Sequence, residues 1–88
     1  RGKGRPVIGM LGEYDALPDC GARKGTYGHG CGHNLLGVGA AVGAVAAAEL
    51  LAEESRPGRV VFWGCPAEEC LGGKVYMARD GGFRGMDA

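Results

Sequence analysis

Two short apolar runs bracket one long one. Pro6-Val7-Ile8-Gly9-Met10-Leu11 has the length and continuity of a buried strand, and Arg59-Val60-Val61-Phe62-Trp63-Gly64-Cys65 is a second, β-branched and aromatic. Between them, the stretch from Leu35 to Ala48 and its continuation Glu49-Leu50-Leu51-Ala52-Glu53-Glu54 predict a helix. Asn34 is its expected N-cap, and the stop is expected at Pro57-Gly58. Beyond the second strand, Cys70-Leu71-Gly72-Gly73 predicts a tight loop and Lys74 to Arg79 a second helix, ended by Gly81-Gly82. Strand, helix, strand is the pattern of an α/β unit with a parallel pair.

That topology gives the polar positions a meaning. In an open α/β unit the C-terminal ends of the strands and the N-terminus of the crossover helix share one edge, where ligands bind. Glu13 and Asp15 follow the first strand, Cys31 and His33 open the helix, and Glu68 and Glu69 follow the second strand. A lone Cys-x-His reads more readily as a buried small hydrophobe beside a hydrogen-bonded histidine, and a lone Glu-Glu as a solvated loop. Gathered on one edge, a thiol, an imidazole and paired carboxylates point to a hydrolytic metal site. The positive end of the helix is expected to favour the Cys31 thiolate, the form that binds metal.

Composition narrows the alternatives. With 88 residues, 45% apolar residues and a net charge of zero, the chain holds at most one small domain and has no basic field for nucleic acid or an anionic membrane. Arg1, Lys3 and Arg5 are expected to form a solvated end. Gly39 and Gly43 resemble the small-residue spacing of packed membrane helices, but the run Leu35 to Ala48 ends at Glu49, short of the about 20 residues that span a bilayer. It is therefore expected to be a buried core helix whose glycines allow close packing on the sheet. Cys20, Cys31, Cys65 and Cys70 would allow three disulfide connectivities in a secreted chain, yet no signal peptide is visible and no Cys-x-x-Cys pair suggests a structural zinc site. A reducing cytoplasm is the expected compartment. Gly72-Gly73-Lys74 lacks the remainder of a phosphate-loop pattern.

Gly12-Glu13-Tyr14-Asp15-Ala16-Leu17-Pro18, the run from Gly28 to Gly37, Gly64-Cys65-Pro66-Ala67-Glu68-Glu69 and Gly73-Lys74-Val75-Tyr76-Met77 together resemble the amidohydrolase branch of the aminoacylase and carboxypeptidase metallopeptidases, in the same order along almost the whole chain. The resemblance implies a three-layer zinc-exopeptidase-like catalytic domain, of which residues 1–88 would be a part truncated at both ends. It implies a reaction as well: hydrolysis of the amide between an acyl or aminobenzoyl group and an amino acid, with two divalent ions, zinc or manganese. A thiolate ligand itself favours zinc. Cys31, His33 and Glu69 match the metal ligands, Glu68 the general base that takes a proton from the attacking water, and Asp15 a supporting acid. Glu13 lies where related carboxypeptidases carry a ligand.

Three ligands complete one open site, and two ions need more than the chain provides, so the resemblance places further histidines downstream. The segment alone is expected to be inactive. Its partner would be a small N-acyl amino acid or dipeptide-like substrate, with a homodimer or a heteromeric partner subunit left open. Cys70 and Leu71 depart from glycines common in the branch, and Asn34 from an aspartate. Asp19 to Tyr27, with Arg23 and Lys24, reads either as a surface loop or as an arm toward an acidic substrate group. The rival reading is a catalytically incomplete metal-binding or regulatory subunit.

Overall fold

The computed structural model describes residues 1–88 as a three-stranded mixed sheet with one long helix on one face. Strand β2 (Val7–Glu13) and strand β3 (Gly58–Cys65) pair in parallel, in register from Val7 opposite Arg59 to Glu13 opposite Cys65. The expected parallel pair is therefore present, and both strands run one or two residues further than their apolar cores. Arg1, Lys3 and Arg5 are not merely a solvated end. Gly2–Lys3 forms an edge strand, β1, antiparallel to β3. Arg1 pairs with Glu49 at 3.7 Å, and Arg5 pairs with Asp87.

Helix α1 (His33–Glu53) starts two residues earlier than expected. Gly32, not Asn34, occupies the N-cap, with φ 89°, a left-handed conformation that glycine adopts without the Cβ penalty. At the other end, the Arg56 amide donates to the Leu51 carbonyl at 2.9 Å and the Ser55 amide to that of Ala52 at 3.1 Å, with Ser55 at φ 51°. This backbone wrap ends the helix before Pro57 is reached.

One stripe of α1 packs on the sheet, with Ala44 and Ala48 buried against Val60 and flanked by Met10, Ala47 and Leu51. The remaining surface of the helix is not buried within the chain: Leu35, Val38, Val42 and Val45 are exposed, which corrects the expectation of a buried core helix. At 21 residues α1 is also long and apolar enough, by length and composition, to cross a membrane, so the length objection raised for Leu35–Ala48 does not hold for the whole helix. The close approach to the sheet is not made where expected. A Cβ on Gly39 would meet nothing within 4 Å and one on Gly43 only Met10 Sδ at 3.9 Å, whereas one on Gly37 would lie 2.5 Å from the Glu13 carbonyl oxygen. Gly37 thus sets the distance between the first turns of α1 and the end of β2.

The chain ends against β2. The amide of Gly9 donates to the Ala88 carbonyl at 2.7 Å, and the amide of Asp87 to that of Val7 at 2.8 Å. The Asp87 carboxylate accepts the Val7 amide at 2.7 Å. Phe83 meets Trp63 edge-on, with ring centroids 5.5 Å apart. After β3, the expected loop at Cys70–Gly73 is partly helical: a one-turn helix, α2 (Glu68–Leu71), precedes α3 (Gly73–Arg79).

Candidate metal and catalytic site

The edge predicted from topology is where the polar residues meet. His33 opens α1 and is buried, at 7% exposure, an unusual place for an imidazole. Its Nδ1 lies 3.1 Å from Glu69 Oε1 but finds no hydrogen-bond partner, because the alignment is wrong for one. Its Nε2 lies 3.1 Å from Glu13 Oε2 and 3.7 Å from Glu68 Oε2. The two ring nitrogens therefore face two different groups. Cys31, His33 and Glu69 offer ligand atoms within 4.8 Å of one another, and so do Glu13, His33 and Glu68.

The first of these groups fits a divalent ion on two counts. Thiolate, imidazole and carboxylate are the donor types zinc takes, and the three ligand atoms lie within 4.8 Å of one another, near enough for small movements to close them on one ion. A buried nitrogen without a hydrogen-bond partner is costly unless something else satisfies it, and a cation would do so.

Electrostatics correct one expectation. The Cys31 thiol is pushed up from its ordinary value, first by its hydrogen bond with Glu69, then by desolvation and the Glu69 and Glu68 charges, so the helix N-terminus does not dominate. A cation between thiol and carboxylate would reverse that balance.

Asp15 does structural work at a distance. Its carboxylate accepts the Ala67 amide at 2.7 Å and the Glu69 amide at 3.1 Å, tying the loop after β2 to the start of α2. The Glu69 amide, more than any other group, holds this carboxyl below its ordinary range. Ala67 sits at φ 57°, outside the usual region for a residue with a side chain, and the clamp on its amide helps keep it there. His29 Nδ1 lies 2.9 Å from the Asp15 backbone oxygen, which leaves that ring supporting the loop.

Residues Asp19 to Tyr27 fold onto themselves. Leu17 and Gly28 bridge the base of the loop, and Asp19 Oδ1 accepts the Gly25 amide at 2.7 Å. Cys20, Cys31, Cys65 and Cys70 are all free, and Cys70 lies outside both candidate ligand groups. Cys65 is fully buried, and burial pushes its thiol up. The residue that sequence reasoning missed is Lys74, whose ammonium pairs with Glu13 and is held above its ordinary value mainly by that contact. Its only signal was a lone cation shortly after two acids.

A donor set suited to a divalent ion, at the C-terminal edge of a parallel strand pair, sits within a recognisable class: residues 9–88 match the profile of peptidase family M20/M25/M40, and the chain belongs to that family. Among individual proteins, it is 44% identical to one subunit of the p-aminobenzoyl-glutamate hydrolase of Escherichia coli over 97 aligned positions, covering 99% of this chain and 20% of that protein. It is 44% identical to human Xaa-Arg dipeptidase over 87 positions, covering 94% of this chain and 18% of the relative. Hippurate hydrolase of Campylobacter jejuni is 33% identical over 95 positions, covering all of this chain and 24% of the relative. The chain thus spans about a fifth of the length of these curated relatives. No solved structure matches.

Proposed function

We propose that residues 1–88 form part of the three-layer catalytic domain of a metal-dependent amidohydrolase, one that cleaves the amide between an acyl or aminobenzoyl group and an amino acid. The observation that carries this reading is the buried His33 Nδ1, unpartnered and facing the Cys31 and Glu69 donors. The relatives lend chemical direction, since each is named for a substrate in which an amino acid is held in amide linkage.

In this reading Cys31, His33 and Glu69 hold one of two divalent ions, zinc or manganese. A bound ion would supply Lewis acidity, lowering the pKa of water and polarising the scissile carbonyl. Glu68 follows from its place beside Glu69. Anchoring Glu69 fixes its neighbour at the same edge, where the Glu68 carboxylate takes the proton of the attacking water and returns it to the leaving amine. Asp15, by holding the amides of Ala67 and Glu69, keeps both acids pointed at that edge.

Replacing Glu68 with Gln in the complete protein tests the assignment. The expected result is turnover lower by about 10²–10⁴-fold with metal content unchanged. Amide hydrolysis at the unaltered rate would overturn the role of Glu68. An unaltered protein that binds metal yet cleaves no N-acyl amino acid would favour the regulatory subunit instead.

A further inference from the structure

The turn that carries Glu68 and Glu69 has no apolar anchor of its own. Neither α2 nor α3 buries a residue within this chain, so polar ties carry the position of the two acids. These ties come from alternate residues at the end of β2. Asp15 takes the amides at the front of the turn, those of Ala67 and Glu69. Glu13 takes the ammonium of Lys74 at its rear. We propose that Lys74, gripped by Glu13, is a positioning residue for the general base, fixing the far end of the turn and with it the place of the Glu68 carboxylate. The proposal rests on the role given to Glu68 above.

Three observations converge. The first is that the backbone between the two ties has little slack. The amides of Leu71 and Gly73 both donate to the Ala67 carbonyl, at 3.2 and 3.1 Å, which closes α2 and the first residue of α3 onto the residue that Asp15 clamps. Gly73 lies so near that a Cβ there would strike the Pro66 carbonyl oxygen. Lys74 is the next residue, so movement at its end of the turn is passed to Glu68. The second is that the ion pair is sheltered: the Glu13 and Lys74 side chains are 17% and 32% exposed, unlike the exposed Arg79–Asp80 pair. Glu13 is a firm mount, because it ends β2 in register with Cys65 at the end of β3, the strand from which the turn leaves. The third is that Glu68 depends on the backbone beneath it. Its side chain is 40% exposed and stands 3.7 Å from His33 Nε2, beyond hydrogen-bond reach. A turn held by Asp15 alone could pivot about that carboxylate, and a second point of attachment stops the pivot.

Steady-state kinetics of the complete protein with an N-acyl amino acid test the assignment. Lys74→Met and Glu13→Gln are each expected to lower kcat by about 10–100-fold, with KM within a few-fold and metal content unchanged, because a displacement of about 1 Å at a reacting group has an effect of that order. The double variant should be no slower than the slower single one, since both break the same tie. In a Glu68→Gln background, Lys74→Met should cost less than about 3-fold more, because the group it positions is already gone. Lys74→Gln replaces Lys74→Met throughout if the methionine variant does not fold. Unaltered kcat in Lys74→Met would overturn the proposal, and so would losses that multiply fully in either combination. Loss of a bound ion in Glu13→Gln would overturn it as well, by making Glu13 a ligand. An unaltered rate in Glu68→Gln alone would overturn the role of Glu68 and this proposal with it, whereas a slow Glu68→Gln beside a normal Lys74→Met would overturn this proposal alone.

Discussion

Gly37→Ala should damage the site from outside it. The added methyl would lie 2.5 Å from the Glu13 carbonyl oxygen, a backbone atom that cannot swing away, and reaching an ordinary contact of 3.4 Å requires α1 and β2 to part by about 0.9 Å. Overpacking of this kind costs about 1–3 kcal/mol, against about 1 kcal/mol gained by replacing glycine inside a helix. The net effect is destabilisation of up to about 2 kcal/mol. His33 lies one turn before Gly37 and Glu13 is the residue struck, so the same displacement stretches the 3.1 Å His33–Glu13 contact toward about 4 Å. A 1 Å error at a reacting centre can cost on the order of 10²-fold in rate. Gly43→Ala is the control, since its methyl would meet only Met10 Sδ at 3.9 Å and should leave a small helix-propensity gain. Thermal unfolding and hydrolysis of an N-acyl amino acid should move in opposite senses for the two variants: lower melting and lower rate for Gly37→Ala, unchanged or higher melting and normal rate for Gly43→Ala. Equal melting and equal rates would refute the reasoning about close approach.

Asp15→Asn should lower turnover by freeing the amides of Ala67 and Glu69, and it should remove part of the acid sensitivity of folding. The depressed Asp15 carboxyl stabilises the fold above the ordinary value of 3.8, a contribution lost as pH falls through the lower folded-state value, so the variant's melting temperature should depend less on pH in that window. For Cys31, whose thiol is pushed up, alkylation by iodoacetamide in the metal-free protein should stay slow until the pH passes the ordinary value of 9.0. Metal loading should release a proton and protect the thiol; equal labelling with and without metal would argue against Cys31 as a ligand. Ser55→Gly should raise melting by relieving the left-handed φ of 51°, with a gain of at most about 1 kcal/mol; a drop would show that the serine side chain contributes more than its backbone costs.

Much of this architecture was legible because periodicity and topology are local and additive. The β-branched run at Val60-Val61 and the apolar run at Val7-Ile8 mark a strand pair, and an intervening helix leaves a parallel arrangement as the natural pairing. The gathering of Cys31, His33, Glu68 and Glu69 follows from that arrangement alone. What was not legible depends on three-dimensional contact. Gly2–Lys3 becomes a strand only because Arg59 and Gly58 offer a free edge. The N-cap moved from Asn34 to Gly32, where the backbone takes a left-handed φ of 89° that suits glycine and that a side-chain capping preference does not reveal. The Cys31 thiol was misjudged because helix polarity is visible in sequence while the Glu69 carboxylate beside it is not. Lys74 was overlooked for a related reason: nothing in Gly72-Gly73-Lys74 announces a partner 61 residues upstream.

The Asp15 clamp makes two distant stretches of chain inherit each other's fate. The loop leaving β2 and the turn entering α2 behave as one part, although 52 residues separate Asp15 from Ala67. Transplanting a foreign segment between Pro18 and Gly28 would leave Glu68 and Glu69 in place only if Asp15 kept its grip, because slack introduced there is delivered to the turn that carries them. Conversely, drift in the backbone at Pro66-Ala67 would be felt at Tyr14 and His29. Within the Asp19–Tyr27 loop, exposed positions such as Arg23 and Lys24 can vary while Asp19, Gly21 and Gly25 hold its turn, and the residues on either side of the Leu17–Gly28 bridge are tied to the clamp.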